Sequence, residues 1–479
     1  MLVRWLFLFF KLLVLNHRIQ QFVQQNLRSL LQKGSFAQNF AVTLSGSAAV
    51  TAIGFLLTPV MSRIYSPESY GQFAVFSSLA NNLSMIATLT YTGAFLLPKR
   101  QEKFIALMQL TIALTFGTCL LLSTALLLTR GHFLKMLNLE GLGKIVYTLP
   151  VLLLLFNLNG ILGGWYLREK LFIKRSSIDV VTALAGRSIT IGFGWWAGGN
   201  VLGLILGEFF NRLITTISLA AGSMRHSLVT LWQTFSWRDV WTVAVEYKSF
   251  PLYVLPSSFI NVLSTQLPIY ALTSGFGPAS VGLYSFSVGL LEIPINLIGN
   301  AILPVFWQKA TETHNNQPER LPGITLSLYY KLLYLGLLPF GIITIYGDIL
   351  FKFVFGARWE MAGVYTGYLG YYYVFKLMSQ ATSPIYTVMG KQRYILWSNV
   401  FLLICRAIGL GIGLALHNLN LALLLFGLSS LVATFLIDLQ VLSMLKLPIW
   451  RITLRTLVIV GTTLLMLKGI RLGAEFLLK

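Results

Sequence analysis

The chain is a succession of apolar segments, each about twenty residues long, separated by short polar stretches. A helix of that length crosses about 30 Å of hydrocarbon, and it satisfies its own backbone hydrogen bonds there. Composition agrees, since 56% of the 479 residues are hydrophobic, 11% are charged and the mean hydropathy is +0.74. A soluble globular protein does not have this composition. The sequence therefore predicts an all-α polytopic membrane protein.

About twelve segments qualify as transmembrane helices. They lie near residues 36–63, 71–97, 104–129, 145–166, 178–197, 199–221, 249–272, 280–307, 324–346, 361–389, 394–416 and 419–444. A shorter apolar run from Leu457 to Leu467 is either a thirteenth span or a segment that lies against the bundle, and the sequence leaves both readings open.

One stretch of sequence recurs at a constant offset. The run SPESYGQFAVFS is followed later by GPASVGLYSFSV, which aligns Pro67 with Pro278 and Gly71 with Gly282. Each copy follows one long apolar segment and begins the next. Internal repeats of this kind are typical of secondary transporters, whose substrate site lies between the two halves. We therefore expect two homologous six-helix lobes around a central cavity. The expected divisions are a cytoplasmic amphipathic segment (1–35), an N-lobe (36–221), a cytoplasmic linker (222–248), a C-lobe (249–444) and a C-terminal segment (445–479).

The distribution of Lys and Arg predicts the orientation, because short loops rich in these residues stay in the cytoplasm. If the N-terminus is cytoplasmic, the outer segments before the C-terminal tail hold only Arg63, Arg130, Lys135, Lys144, Lys352 and Arg358. The inner segments then account for most of the net charge of +21, which anionic lipid headgroups are sufficient to balance. Nucleic acid is not an expected partner, since no basic stretch outside the spans is interleaved with aromatic residues.

The polar chemistry of the chain points away from soluble or metal-dependent catalysis. Cys119 and Cys405 both fall within predicted spans, and no His or Cys cluster has metal-ligand spacing, so neither a disulfide framework nor a metal site is expected. The longest polar stretches, 222–248 and 308–323, are too short to fold as domains. Function is therefore expected within the membrane, and we predict a protein that is not an enzyme.

Four stretches carry a family resemblance. In chain order they are RIYSPESYGQFAVFSS (63–78), GLLEIPINLIGNAILPVFWQKA (289–310), FGARWEMAGVY (355–365) and SPIYTVMGKQRYILWSN (383–399). With them the chain resembles the Wzx-type oligosaccharide flippases of the MATE-related exporter superfamily. The resemblance implies movement of an undecaprenyl-diphosphate-linked oligosaccharide from the inner to the outer leaflet of a bacterial plasma membrane. It also implies membrane lipids and other polysaccharide assembly proteins as partners, and no cofactor.

Related lipid II flippases carry a charged pair on the first helix, where this chain has Leu57 and Thr58. This departure argues against lipid II as the cargo.

Basic residues deep within spans are candidates for binding the charged head of such a cargo, because an intramembrane ionisable residue rarely faces lipid. They are Arg187, Arg212, Lys376 and Arg406. Arg212 follows Glu208 by four residues, so the alternative is that these two neutralise each other on one helix face.

Acidic residues and amides complete the candidate site. Glu292 is the first candidate for binding a coupling proton or sodium ion because it lies beside Pro294, and Glu208 is the second. The alternative for Glu292 is a buried ion pair with one of the basic residues. The candidate sugar contacts are Asn81, Asn82, Asn261, Gln266, Asn296 and Asn300. Such amides also hold helices together in membranes, which is the alternative for all six.

Two other classes of protein compete with a flippase. A drug or organic-cation antiporter has the same architecture, but a cationic cargo favours a cavity with excess carboxylates, and these spans hold more Arg and Lys than acids. A membrane polysaccharide polymerase would need a larger outer loop with catalytic acid or base residues.

Overall fold

The computed structural model describes residues 36–128, 140–221 and 233–477. The α-helices in these ranges are α1 (Phe36–Ile64), α2 (Pro67–Ala87), α3 (Gln101–Leu128), α4 (Leu149–Arg168), α5 (Phe172–Trp196), α6 (Val201–Ala221), α7 (Trp237–Glu246), α8 (Leu255–Phe276), α9 (Pro278–Asn316), α10 (Leu321–Phe355), α11 (Glu360–Met378), α12 (Ser383–Val388), α13 (Gln392–Ala415), α14 (Leu419–Met444) and α15 (Ile449–Leu477). Nine segments of these described helices have the length and apolar composition to cross a membrane. The predicted segment 1–35 and the first part of the linker, 222–232, lie outside the described residues.

Large apolar side chains cover the outside of the bundle. On α3, Leu120, Leu121 and Leu128 are 68%, 71% and 82% exposed. A protein with such an apolar surface would aggregate in water, whereas the hydrocarbon of a membrane solvates this surface. The predicted all-α polytopic membrane fold is therefore confirmed.

The two halves of the bundle use the same helix pairings. In the first half, α1 packs on α5, α5 on α6, and α4 on both α3 and α6. In the second half, α8 packs on α13, α13 on α14, and α11 on both α10 and α14. We refer to α1–α6 as the N-lobe and to α8–α14 as the C-lobe.

The sequence repeat begins one helix in each lobe. Ser66 caps α2 by accepting a hydrogen bond from the backbone N–H of Ser69, and Pro67 occupies the first turn, where a missing N–H costs nothing. Pro278 begins α9 in the same way after Gly277, whose φ of +81° favours glycine. The repeat is thus a helix start.

The lobes touch where these two helices begin, at what we call the closed end. A Cβ on Gly71 would collide with the carbonyl oxygen of Pro278 and the amide nitrogen of Gly282, and a Cβ on Gly282 would collide with the matching atoms of Pro67 and Gly71. The contact is therefore reciprocal, as expected for elements related by a pseudo-twofold axis.

Hydrogen bonds and aromatic rings extend this contact. The Trp359 indole N–H donates to the carbonyl oxygen of Ser62 at 2.8 Å, and the Ser62 hydroxyl donates to the carbonyl oxygen of Phe355 at 3.1 Å. The ring of Tyr70 lies edge-on to the rings of Trp359 and Phe286, with centroids 5.1 and 5.5 Å away. Both lobes are therefore sealed together at this end.

Two helices end before the predicted spans do. Helix α2 ends at Ala87 rather than near residue 97, since Leu89 and Thr90 have φ of 47° and 60°, which no α-helix accommodates. Helix α11 ends at Met378, and a turn separates it from the short helix α12. The residues that follow each of these helix ends are largely apolar, so hydropathy extended both predicted spans beyond the helices.

The apolar run 457–467 is the middle of a long helix, α15. Helix α15 runs well beyond the apolar run 457–467 and packs against α10. Its Arg471 makes a two-pronged ion pair with Asp348 of α10, at 2.7 and 3.0 Å.

Candidate functional site

A cavity of about 430 Å³ lies on the inner face of the C-lobe and is closed on its N-lobe side by α2. We call it the C-lobe cavity. Lys376 of α11 forms an ion pair with Glu292 of α9, and the Tyr373 hydroxyl donates to the same carboxylate at 3.1 Å. Each member of the ion pair is about one quarter exposed. The cavity therefore holds a charged pair whose carboxylate and ammonium face each other.

Arg406 of α13 also lines this cavity but is 3% exposed. Its Nε, Nη1 and Nη2 donate to the hydroxyls of Ser430, Ser264 and Tyr372, respectively. No carboxylate among the described residues forms an ion pair with it. The guanidinium is thus an uncompensated positive charge, held in place by three neutral acceptors.

The N-lobe has a larger cavity, of about 760 Å³, between α1, α4, α5 and α6. We call it the N-lobe cavity. Arg175 of α5 pairs with Asp179 at 2.9 Å, and Arg212 of α6 pairs with Glu208 at 2.7 Å. The Arg212 guanidinium also lies 4.0 Å from the centroid of the Phe156 ring. Both arginines face polar space within a lobe whose surroundings are apolar.

A third space of about 400 Å³, which we call the connecting cavity, shares wall residues with the first two. It shares Asn159, Gly160, Arg175 and Arg212 with the N-lobe cavity, and Asn81 with the C-lobe cavity. Polar cavities therefore follow one another through the bundle. At the far side of the N-lobe cavity they reach Thr43, near the start of α1 and far from the closed end.

The basic and acidic candidates all line cavities. Arg212, Lys376, Arg406 and Glu292 lie as described above. Arg187 and Glu208 line a smaller space of about 190 Å³, the Arg187 cavity, where one guanidinium nitrogen of Arg187 lies 3.3 Å from the sulfur of Met61.

The amide candidates are divided. Gln266 and Asn81 line the C-lobe cavity, and Asn296 lines the N-lobe cavity from the C-lobe side. Asn82 instead donates to the hydroxyl of Tyr270 at 2.5 Å, which links α2 to α8. Asn261 is exposed and bonds Asn399 at 3.3 Å.

The side chain of Asn300 lies outside the described residues. For every one of these candidates, the assigned role in binding stays a prediction.

The structure adds residues that the sequence analysis missed. Arg175 was missed because the predicted span began at residue 178, whereas α5 begins at Phe172. Asp179 was missed because it fell at the end of that span, where no partner was expected for it. Asn157 and Asn159 lie within the apolar helix α4, and each lines the connecting cavity. Two sequence features could have identified these residues. They are the four-residue spacing of Arg175 and Asp179, and the occurrence of two asparagines in one apolar run.

The balance of charge in the four cavities is positive. Among the described residues that line them, five are basic and three are acidic. The basic ones are Arg175, Arg187, Arg212, Lys376 and Arg406; the acidic ones are Asp179, Glu208 and Glu292. The walls suit an anion that also carries hydrogen-bonding groups.

Comparison with known proteins identifies relatives over most of the chain. A family model described as "Polysaccharide biosynthesis protein" matches residues 60–363. The succinoglycan biosynthesis transport protein ExoT of Rhizobium meliloti (strain 1021) is 21% identical over 346 residues, which cover 69% of this chain. The match spans 65% of that relative, slightly less than two thirds of its length.

Solved structures share the fold. The lipid II flippase MurJ in an inward closed conformation aligns with a TM-score of 0.64 at 14% identity, covering 90% of this chain and 93% of MurJ. An inward-facing multidrug resistance MATE family transporter of the MOP superfamily aligns with a TM-score of 0.61 at 14% identity, covering 88% and 98%. These alignments show a shared fold, so the predicted fold of the MATE-related exporters is confirmed.

Proposed function

The chain belongs to the polysaccharide biosynthesis protein family, and on that premise we propose that it moves an undecaprenyl-diphosphate-linked oligosaccharide across a bacterial plasma membrane. The movement runs from the inner to the outer leaflet. The protein lies in the inner membrane with its N-terminus in the cytoplasm, as the distribution of Lys and Arg predicts.

The observation that carries this proposal is the chemistry of the cavity walls. A cationic drug would bind best to excess carboxylates, whereas these cavities carry more basic than acidic side chains. Hydroxyls and amides stand beside the charges, for example Ser78, Asn81 and Gln266 in the C-lobe cavity. Positive charge suits a diphosphate, and hydroxyls and amides suit sugars.

Alternating access supplies the mechanism. In the proposed orientation the closed end faces outward and the N-lobe cavity receives cargo from the cytoplasmic side. The polyprenyl tail stays in the bilayer while the polar head occupies the cavities, which spares the head the cost of lipid contact. Rocking of one lobe against the other then separates the pair of glycines at the closed end and releases the head outward.

The two ion pairs provide a route for ion coupling. Glu292 holds Lys376, and Glu208 holds Arg212. A proton or sodium ion bound to either carboxylate would weaken its hold on the cation, which would then be available to the diphosphate. Ion binding and cargo binding at these pairs would therefore be thermodynamically coupled.

Deletion of the gene in its native host tests the function. We expect complete lipid-linked oligosaccharides to accumulate in the cytoplasmic leaflet, where a membrane-impermeant glycosidase added to spheroplasts cannot reach them. Wild-type protein should restore access and Lys376→Gln should not. Arg455→Gln, which alters an arginine on α15 outside the four cavities, is the matched control and should restore it. Normal lipid-linked pools together with lost drug resistance would contradict the proposal and favour an antiporter.

A further inference from the structure

We propose that Arg175 and Arg212, which line both the N-lobe cavity and the connecting cavity, together bind the diphosphate of the cargo. We further propose that Asn157 and Asn159 bind hydroxyls of the sugar attached to it. This inference rests on the proposed function and assigns a place to one part of its substrate.

Both arginines line the same two spaces and have terminal nitrogens without a hydrogen-bond partner among the described residues. Arg175 uses Nε to bond Asp179, and its buried Nη1 has no hydrogen-bond partner among the described residues. Arg212 likewise uses Nε to bond Glu208, and its terminal nitrogens donate to no described side chain or carbonyl. Each side chain is 31% exposed. Two guanidinium groups in the walls of one space suit phosphate oxygens.

Both guanidinium groups are positioned before any ligand arrives. Arg175 lies over Gly163 of α4, where a Cβ would approach Nη1 to 2.8 Å. Arg212 rests on the ring of Phe156. The carboxylate of Glu208 lines the neighbouring Arg187 cavity and neither of the two spaces that the arginines share. Preorganised cations of this kind lose little side-chain entropy when they bind.

The basic residues of the C-lobe cavity are less suited to this task. Lys376 faces Glu292 within the same cavity. Arg406 is 3% exposed and has already committed all three of its nitrogens to hydroxyls. Arg406 would therefore have to move to reach a diphosphate, and the Glu292 carboxylate would lie beside any phosphate bound at Lys376.

Two buried asparagines beside the arginines each have one polar atom without a hydrogen-bond partner among the described residues. Asn157 is 3% exposed and its Nδ2 donates to no described residue, while Asn159 is 4% exposed and its Oδ1 accepts from none. The remaining amide atoms are fixed, because Asn157 Oδ1 accepts from Ser84 and Asn159 Nδ2 donates to the carbonyls of Leu155 and Arg212. Buried polar atoms are rarely left unpaired, so they point to a ligand. A sugar hydroxyl both donates and accepts, and it matches one free donor and one free acceptor.

Binding to the full-length protein in lipid nanodiscs tests the inference. The probe is a short-chain polyprenyl diphosphate without sugar, with inorganic pyrophosphate as a competitor. We expect Arg175→Gln and Arg212→Gln each to weaken binding at least about tenfold, the scale of one lost charged contact. Arg455→Gln should leave it unchanged. If Arg175→Gln and Arg212→Gln both bind the probe like wild type, the inference is wrong. It is also wrong if Lys376→Gln loses binding while the two arginine variants keep it.

A glycine on α4 gives a test that removes no charge. Gly163→Ala should displace the Arg175 guanidinium and weaken binding, while Gly192→Ala on α5, whose Cβ meets nothing within 4 Å and which lines none of the four cavities, should not. Equal affinities for these two variants would contradict the role of Arg175. Competition by pyrophosphate identifies the phosphates as the recognised group, whereas its absence would show that the lipid tail is recognised instead and would overturn the site.

The outcomes separate this inference from the proposed function. If gene deletion traps lipid-linked oligosaccharide inside while the arginine variants bind the probe normally, the function stands and the site is wrong. If deletion leaves the lipid-linked pools normal, the function itself fails.

Discussion

Gly71 and Gly282 approach so closely that neither position accommodates a Cβ, because the atoms it would meet belong to the backbone of the other lobe. Small residues allow such close approach between helices in membranes. Gly71→Ala should therefore force the lobes apart at the closed end. In a background without Cys119 and Cys405, we expect labelling of Ser62→Cys by an impermeant maleimide to rise several-fold, since Ser62 is 1% exposed in the closed arrangement.

Gly117 provides the control for that experiment, because a Cβ there meets nothing within 4 Å. Gly117→Ala should leave the labelling rate of Ser62→Cys unchanged. If Gly71→Ala also leaves it unchanged, the glycine pair does not hold the closed end.

Lys376 and Glu292 make a second prediction at this scale. Removing either partner leaves the other charge in a part-buried site, so Lys376→Gln and Glu292→Gln should each lower the free energy of unfolding by roughly 1–2 kcal/mol. The double variant should lie close to wild type, because both charges are gone. Thermal unfolding of the purified proteins in detergent measures this. Additive losses in the double variant would show that the pair contributes no coupling.

The sequence identified these residues and offered an ion pair for Glu292, which is confirmed, but it did not identify the contact between the glycines or name the partner of Glu292. Repeat alignment paired Gly71 with Gly282, yet an alignment relates equivalent positions and says nothing of whether they touch. Lys376 and Glu292 were both selected as intramembrane charges, and only the packing of α9 on α11 brings them together across 84 positions. Arg175 was missed because a hydropathy boundary placed it in a loop.

At the scale of elements, the spans were predictable and their ends were not. Hydropathy located α1–α6, α8–α11, α13 and α14, because crossing lipid needs a minimum apolar length, but it found only the middle of α15. It overran the end of α2, since Ala94 and Phe95 are apolar for a different reason, namely that they are buried in the N-lobe. Burial in protein and exposure to lipid both select apolar residues, so composition alone cannot separate them.

Helix α15 gives a prediction at the same scale. Arg471 and Asp348 form an ion pair between α15 and α10, and none of the four cavities has an α15 residue in its wall. Arg471→Gln should therefore speed amide hydrogen exchange in α15 while transport in cells continues at the wild-type rate. Asp348→Asn should do the same. Lost transport with unchanged exchange would give α15 a part in the site that the structure does not indicate.

At the scale of the whole molecule, polar cavities lie within and between two similarly built lobes, and these lobes are in close contact at the closed end. Composition predicted the membrane, the repeat predicted the lobes, and the resemblance predicted a central cavity. The sequence could not predict which end is sealed, because that depends on how the lobes lean on each other. The sequence also could not predict that Asn81 lines both the C-lobe cavity and the connecting cavity, since the walls of these cavities come from helices that are distant in the chain.

The most direct measurement couples that seal to transport. Full-length protein carrying Ser62→Cys and Phe355→Cys, positions joined across the lobes by a hydrogen bond, is placed in proteoliposomes with a fluorescent lipid-linked oligosaccharide. Movement between leaflets is followed with an impermeant quencher, before and after treatment with a short, cleavable bifunctional maleimide. Alternating access predicts movement before cross-linking, none after it, and recovery once the link is cleaved. Undiminished movement through the cross-linked protein would contradict it.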